Sequence, residues 1–210
     1  MDCRGMKVNF LGDSITYGVG TARPEERYVD MVKEELGLAA ARNYGVSASR
    51  IANQEPMDVP SFCQRYGSMD NDADLIVVFG GCNDYFHGTA PIGTWEDRTP
   101  DTFYGACHTL LLGLMEKYPG RPVVFLSPIH SAAELGGPNR VTGFTMEQYT
   151  AVIREVAGYY AVPMLDLLHT SGIQPAVPLN RELFCPDGTH PNGAGNRILA
   201  SRLMGFLRSL

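Results

Sequence analysis

The chain has 210 residues, 44% hydrophobic and 19% charged, with a formal net charge of −6. That length supports one α/β domain with a sizeable core, and no shift in composition asks for a second, so residues 1–210 read as one domain. Without a concentrated basic face no nucleic-acid partner is expected, and no run approaches the ~18 apolar residues of a membrane span.

Residues 8–11 read as the first strand, followed by a helix whose Tyr28, Val29, Val32 and Leu36 share one face and which stops at Gly37. Residues 41–44 are the second strand candidate. Residues 75–79 (Leu-Ile-Val-Val-Phe) and 123–126 (Val-Val-Phe-Leu) are the third and fourth. These two runs are continuous rather than alternating, as in strands buried on both faces of a parallel sheet. Between them Phe103, Ala106, Leu110, Leu111 and Leu114 mark a helix opened by Thr99-Pro100 and closed by Pro119-Gly120. Thr145-x-x-Gln148 has the form of a capping box. Residues 164–168 are the fifth strand candidate, and Leu199, Leu203, Phe206 and Leu210 form the apolar face of a last helix. Alternation of this kind specifies a three-layer α/β/α sandwich. Two connections, 80–100 and 168–192, exceed the usual length of roughly 2–6 residues. Both follow the C-terminal end of a strand, where α/β folds place ligands.

The first strand runs into Gly12-Asp13-Ser14-Ile15-Thr16. A serine there fits either a nucleophile at the sheet rim or a hydroxyl capping a short helix. Near the far end, Asp187-Gly188-Thr189-His190 places a carboxylate three residues before an imidazole. A carboxylate on Nδ1 fixes the tautomer that leaves Nε2 free as a base. His87, His108, His130 and His169 are read as lacking that setting and are assigned core, capping or surface roles. A tetrahedral intermediate also needs donors for its oxyanion. Gly45, ending the second strand, and Asn83, after the third, are candidates, though a strand-end turn and an Asx turn explain them equally well in isolation.

Taken in order, Gly12-Asp13-Ser14, Gly45, Gly81-x-Asn83-Asp84 and Asp187-x-x-His190 resemble the four blocks of the SGNH hydrolases, a branch of the GDSL lipases and esterases. The resemblance spans almost the whole chain. It implies Ser14 as nucleophile, His190 as general base and Asp187 as its orienting carboxylate. It also implies an oxyanion hole from the N–H groups of Ser14 and Gly45 and the Asn83 amide. The implied fold is a five-stranded parallel sheet of flavodoxin-like order 2-1-3-4-5, and the implied activity is carboxylic ester hydrolysis through an acyl-enzyme on Ser14. One departure is Cys82, where Thr or Ser is commoner.

Other chemistries lack their signatures. Gly18-x-Gly20 is followed by Arg23 where a dinucleotide fingerprint wants its third Gly, and there is no P-loop, Gly-x-Ser-x-Gly elbow or His-Glu-x-x-His. The five cysteines form no Cys-x-x-Cys pair, and residues 1–11 lack a signal-peptide core. A cytoplasmic enzyme without cofactor or metal is expected, unless a leader has been removed. Tyr85, Phe86, His87 and Trp95 near Asn83 suit either stacking on a sugar face or packing of the loop. With no long apolar lid stretch, short acyl esters are expected, an O-acetylated carbohydrate ahead of a lipid. The alternatives are a thioesterase or lysophospholipase-type acylhydrolase, and a non-catalytic glycan-binding relative.

Overall fold

The computed structural model describes residues 1–55 and 58–210. Strands β1 (Lys7–Gly12), β2 (Ala40–Gly45), β3 (Leu75–Phe79), β4 (Val123–Leu126) and β5 (Met164–Leu165) form a parallel sheet in the order β2-β1-β3-β4-β5. Around it lie α1 (Ser14–Tyr17), α2 (Tyr28–Leu36), α3 (Phe62–Arg65), α4 (Cys82–His87), α5 (Phe103–Lys117), α6 (Met146–Tyr159), α7 (Leu167–Thr170), α8 (Pro178–Phe184) and α9 (Gly193–Ser209).

Successive strand residues point to opposite faces, and here both faces are covered. Leu11, Ile76, Val78, Val123 and Phe125 join side chains of α5 and α6 in one core. Phe10, Leu75, Val77, Phe79, Val124 and Leu126 join α2 and α9 in the other. The unbroken apolar runs of β3 and β4 follow from this, since both odd and even positions are buried.

Most expected boundaries hold. Gly37 ends α2 in the left-handed region at φ 64°, and Thr145 and Gln148 form a reciprocal capping box at the start of α6. Others move for identifiable reasons. The cap of α5 is Thr102 rather than Thr99, because the Thr102 hydroxyl accepts from the Gly105 N–H. The fifth strand stops at Leu165, where Asp166 accepts the His169 N–H and turns the chain into α7. On α9 the buried stripe is Leu199, Ala200, Leu203, Met204 and Leu207, while Leu210 is exposed at the terminus. The two long connections are also less irregular than their length suggests, since α4 opens the first and α8 occupies the second.

Candidate active site

Because the strands are parallel, Gly12, Gly45 and Phe79 end side by side at one edge of the sheet. The strand order reverses between β1 and β3, and the crevice of a doubly wound sheet opens at that point. Ser14 begins α1 directly after β1, one residue past Asp13, whose carboxylate accepts the Ile15 N–H at 2.9 Å. A side chain at Gly12 would strike the Thr16 hydroxyl, so the turn requires glycine there.

His190 approaches from the other end of the chain, 176 residues away. Its Nε2 lies 3.0 Å from Ser14 Oγ, and its Nδ1 lies 2.7 Å from Asp187 Oδ2. The other Asp187 oxygen accepts the backbone N–H groups of Thr189 at 2.8 Å and His190 at 2.7 Å. Partial burial alone would push the Asp187 carboxyl up. Those two N–H groups and the imidazole outweigh it and hold the carboxyl below the usual carboxylate range. The turn is braced from the loop after β4. Ala132 N–H and Ser131 Oγ both donate to the Gly188 carbonyl, at 2.8 and 3.0 Å. Gly188 sits at φ 85° with the Ala132 methyl against it, so glycine is required for both conformation and space.

The third block enters at the start of α4. Gly81 turns the chain at φ 107°, and the buried Asn83 donates from Nδ2 to the Ser49 carbonyl at 3.1 Å. An amide nitrogen carries two protons, so this bond orients the group and leaves a second donor. Cys82 connects this block to the nucleophile turn: its thiol donates to Asp13 Oδ2 at 3.0 Å. Burial raises the Asp13 carboxyl, against the opposing pull of the Cys82 thiol and the Ile15 N–H. The Cys82 thiol is pushed up by burial and by the Asp13 charge, which suits a donor and not a thiolate. Cys185 is likewise pushed up to about 12, first by burial and then by the Asp187 charge. On α4 the next residue, Asp84, accepts Ile51 and Ala52 N–H groups at 2.9 and 3.0 Å, and burial raises its carboxyl to about 7.

Gly45 occupies a different role from the one its position suggested. Its N–H donates to Asn43 Oδ1 at 2.8 Å, so in this arrangement it is not free to receive an oxyanion. Glycine is needed there because a Cβ would fall 2.2 Å from Tyr17 N, where α1 packs on β2. Three residues on, Ala48 is held at φ 63°, and among the described residues its N–H has no acceptor. Non-glycine residues in the left-handed region are uncommon and cluster at functional sites. Ala48 adjoins Ser49, the residue that orients Asn83. Neither Ala48 nor the buttress Ser131 carried a signal in the sequence, since both lie in segments without periodicity.

The remaining histidines hold other positions, with two corrections: Asp84-x-x-His87 also has the three-residue spacing, but the Asp84 oxygens accept the Ile51 and Ala52 N–H groups. Asp166-x-x-His169 has the same spacing as Asp187-x-x-His190, and His169 Nδ1 does meet both Asp166 oxygens at 3.0 Å. Its Nε2 faces Glu147 Oε2 at 3.0 Å on the surface, and the serine at the end of β4, Ser127, reaches the Asp166 carboxylate and not the ring. His130 pairs with Glu134 through Nδ1, and His108 is buried with Nδ1 at 3.2 Å from the Tyr160 hydroxyl. Trp95 stacks edge-on against His108 and Tyr159, with centroids at 4.8 and 5.2 Å, so it packs its loop on the core.

Tyr85, Phe86 and His87 instead line a cavity of about 440 Å³ closed on its other side by residues 136–141. That wall is built firmly. Asn139 Nδ2 donates to the carbonyls of Tyr85 and Gly88 at 2.8 and 3.0 Å, and the Tyr85 hydroxyl donates to the Gly137 carbonyl at 2.7 Å. Ser14, Asn83 and His190 are not in its lining; the link to the site is through the chain, since Asn83 lies one turn before His87 on α4 and Ala133 follows the Ser131–Ala132 buttress. Arg140 is the cation in its lining, which contains no carboxylate. His87 titrates below an ordinary histidine, through burial and then the nearby Arg50 charge. Among the described residues no group of three His, Cys, Asp or Glu side chains converges as a metal site, and no helix is long and apolar enough to cross a membrane.

Comparison with known proteins agrees with this fold. The profile of the GDSL-like Lipase/Acylhydrolase family matches residues 10–198. The fold is similar to that of a Lactobacillus plantarum protein of 34% identity, with a TM-score of 0.88 and 98% of each chain covered. It is also similar to a lipase/acylhydrolase of Enterococcus faecalis at 17% identity and TM-score 0.66, covering 97% of this chain and 96% of that one. The acetylxylan esterase Axe2 of Geobacillus stearothermophilus aligns at 22% identity and TM-score 0.64, covering 99% and 96%. No curated protein matches the chain.

Proposed function

The chain belongs to the GDSL-like lipase/acylhydrolase family, and we propose that within it the protein is a serine esterase with Ser14, His190 and Asp187 as its catalytic residues. The observation that carries this reading is the continuous relay from Asp187 Oδ2 through the His190 ring to Ser14 Oγ, with steps of 2.7 and 3.0 Å. Ser14 Oγ attacks the ester carbonyl carbon while His190 Nε2 takes its proton. The carbonyl π bond opens to an oxyanion, held by the Ser14 N–H and the free proton of Asn83 Nδ2. The Ala48 N–H takes the place first assigned to Gly45 as the third donor. Collapse of the intermediate expels the alkoxide, which receives the proton from His190. Water, deprotonated by the same imidazole, then displaces the acyl group from Ser14 and restores the enzyme.

The cavity between α4 and residues 136–141 would hold the alcohol part of the ester. Its two aromatic rings and its polar groups suit a hydroxyl-rich alcohol better than a fatty chain. Short acyl esters of carbohydrates are therefore the proposed substrates, a reading the likeness to an acetylxylan esterase supports. Ser14→Ala should remove hydrolysis of p-nitrophenyl acetate and of acetylated sugars by roughly 10⁴–10⁶-fold, with circular dichroism unchanged. It should also remove labelling by a fluorophosphonate; undiminished labelling would sink the assignment.

A further inference from the structure

The guanidinium of Arg65, at the end of the short helix α3, reaches under the sheet edge. It makes hydrogen bonds to three segments at once. Nη2 donates to the Gly12 carbonyl at 2.7 Å, Nη1 to the Tyr44 carbonyl at 2.7 Å, and Nε to Ser49 Oγ at 3.1 Å. The ring of Phe62 lies 4.9 Å beneath it. Desolvation pulls the group down to about 10, a cost offset in part by the buried Asp13 charge, and leaves it protonated at neutral pH. Among the described residues no carboxylate lies within ion-pair distance of it. A desolvated cation without a contacting counter-ion is expensive to keep, so its placement calls for a role beyond holding the fold.

Two of its acceptors, Gly12 and Ser49, lie beside donors of the proposed oxyanion hole, and the third, Tyr44, stands at the end of the strand that leads into Ala48. Gly12 is two residues before Ser14, and its carbonyl also takes the Val46 N–H at 3.1 Å. The Tyr44 carbonyl belongs to the peptide unit whose N–H is Gly45, held at its other end by Asn43. Ser49 follows Ala48, and the Ser49 carbonyl is what orients the Asn83 amide. One planar fork thus fixes the relative positions of the ends of β1 and β2 and of the loop that aims Asn83. Only a guanidinium presents donors rigidly enough to bridge all three.

We propose that Arg65 is the positioning residue of the oxyanion hole, setting the separation of the Ser14, Ala48 and Asn83 donors while touching neither substrate nor nucleophile. The proposal rests on the esterase reading above. Misplaced donors are felt where charge develops, so the loss should fall on the transition state and spare ground-state binding. Arg65→Met should lower kcat per fluorophosphonate-titrated site by on the order of 10- to 100-fold, less than outright loss of a donor, with KM nearly unchanged. Arg65→Lys keeps the charge but not the fork and should fall between Met and wild type. Guanidinium ion added to Arg65→Ala should restore part of the lost kcat and nothing in wild type.

A residue that only stabilises the fold would behave otherwise. The titratable fraction and Tm would drop, kcat per site would stay normal in Arg65→Lys and Arg65→Met alike, and guanidinium would do nothing; that result overturns the proposal. If Arg65→Met does not fold, Arg65→Lys and the guanidinium titration decide alone. Ser14→Ala is run beside them. Lost labelling there with normal turnover in the Arg65 variants discards this inference only, whereas retained labelling discards the esterase reading as well.

Discussion

Three Asp-x-x-His segments of identical spacing stand in this chain, Asp84–His87, Asp166–His169 and Asp187–His190, and only the last turns its imidazole to a serine. Asp84 gives its oxygens to the Ile51 and Ala52 N–H groups; in the other two pairs a carboxylate faces Nδ1, at 2.7 Å for Asp187 and His190 and at 3.0 Å for Asp166 and His169. These two pairs differ at Nε2. His190 points it at Ser14 Oγ, while His169 points it at the Glu147 carboxylate, and Arg154 holds Asp166 from the side at 2.7 Å. An imidazole with carboxylates at both nitrogens has no nitrogen left to serve as base. The three-residue spacing orients a ring; the sheet topology supplies, or withholds, the hydroxyl beyond it.

The sharpest way to break this comparison is to make the same substitution in both pairs. Asp187→Asn should leave the wrong tautomer facing Ser14 and lower kcat by roughly 10²–10⁴-fold, the upper figure being that of a fully buried triad aspartate. Asp166→Asn should leave kcat and KM within about twofold, since ordinary surface substitutions stay near ±0.5 kcal/mol. Equal losses in the two variants would show that neither pair is the catalytic one.

Asn83→Ala tests the next component. Removing one oxyanion donor costs about 10²–10³ in kcat, or ~3–4 kcal/mol, and Asn83→Ala should do so with KM nearly constant. If Asn83 only braces the Ser49 loop, Tm falls and kcat per titrated site stays normal. A smaller effect belongs to Cys82. Cys82→Ser keeps a donor on Asp13 and should remain close to wild type, whereas Cys82→Val leaves a buried carboxylate oxygen unpaired at a cost of ~1–3 kcal/mol. For a chain of this size that is a Tm drop of roughly 2–4 °C per kcal/mol, read by differential scanning calorimetry.

The comparison also shows what was legible in the sequence. Apolar runs such as Leu75–Phe79 announce buried parallel strands because burial on both faces removes alternation. Which imidazole meets Ser14 was a matter of four motifs agreeing with one fold, since a contact across 176 positions leaves no local trace. The Asp166 pair has no trace of its own in the sequence, because it lies inside the apolar run 164–168, in which the Asp166 cap ends the strand after two residues and starts α7. Gly45 illustrates the converse. Its glycine is required by the close approach of Tyr17, so the residue type was a signal of packing, not of a free N–H. Arg65 and Ala48 had no signal, because what sets them apart is conformation and burial.

The finest test of the two pairs uses acid. Partial burial alone would raise the Asp166 carboxyl, yet Arg154, the His169 ring and the His169 N–H more than reverse this and hold it below its usual range. The Asp187 carboxyl is held low as well, by N–H groups and its imidazole. An aspartate depressed in the native state binds fewer protons there than in the unfolded chain, where its pKa is ~3.9. Its contribution to stability is therefore complete above that value and disappears as pH falls through the lower, native one. For Asp166 the partner is a permanent cation, so the Tm gap between wild type and Asp166→Asn should be present at pH 7. It should shrink as the solution is acidified below about pH 4. The gap should be small, in keeping with the ~0.2–1 kcal/mol of solvent-accessible pairs, and should narrow further in high salt. Asp187 has no such cation, and two of its bonds come from neutral backbone N–H groups. Its gap should follow the same acid profile yet respond less to salt. A salt-insensitive Asp166 gap would mean that Asp166 stabilises by capping α7 rather than through Arg154.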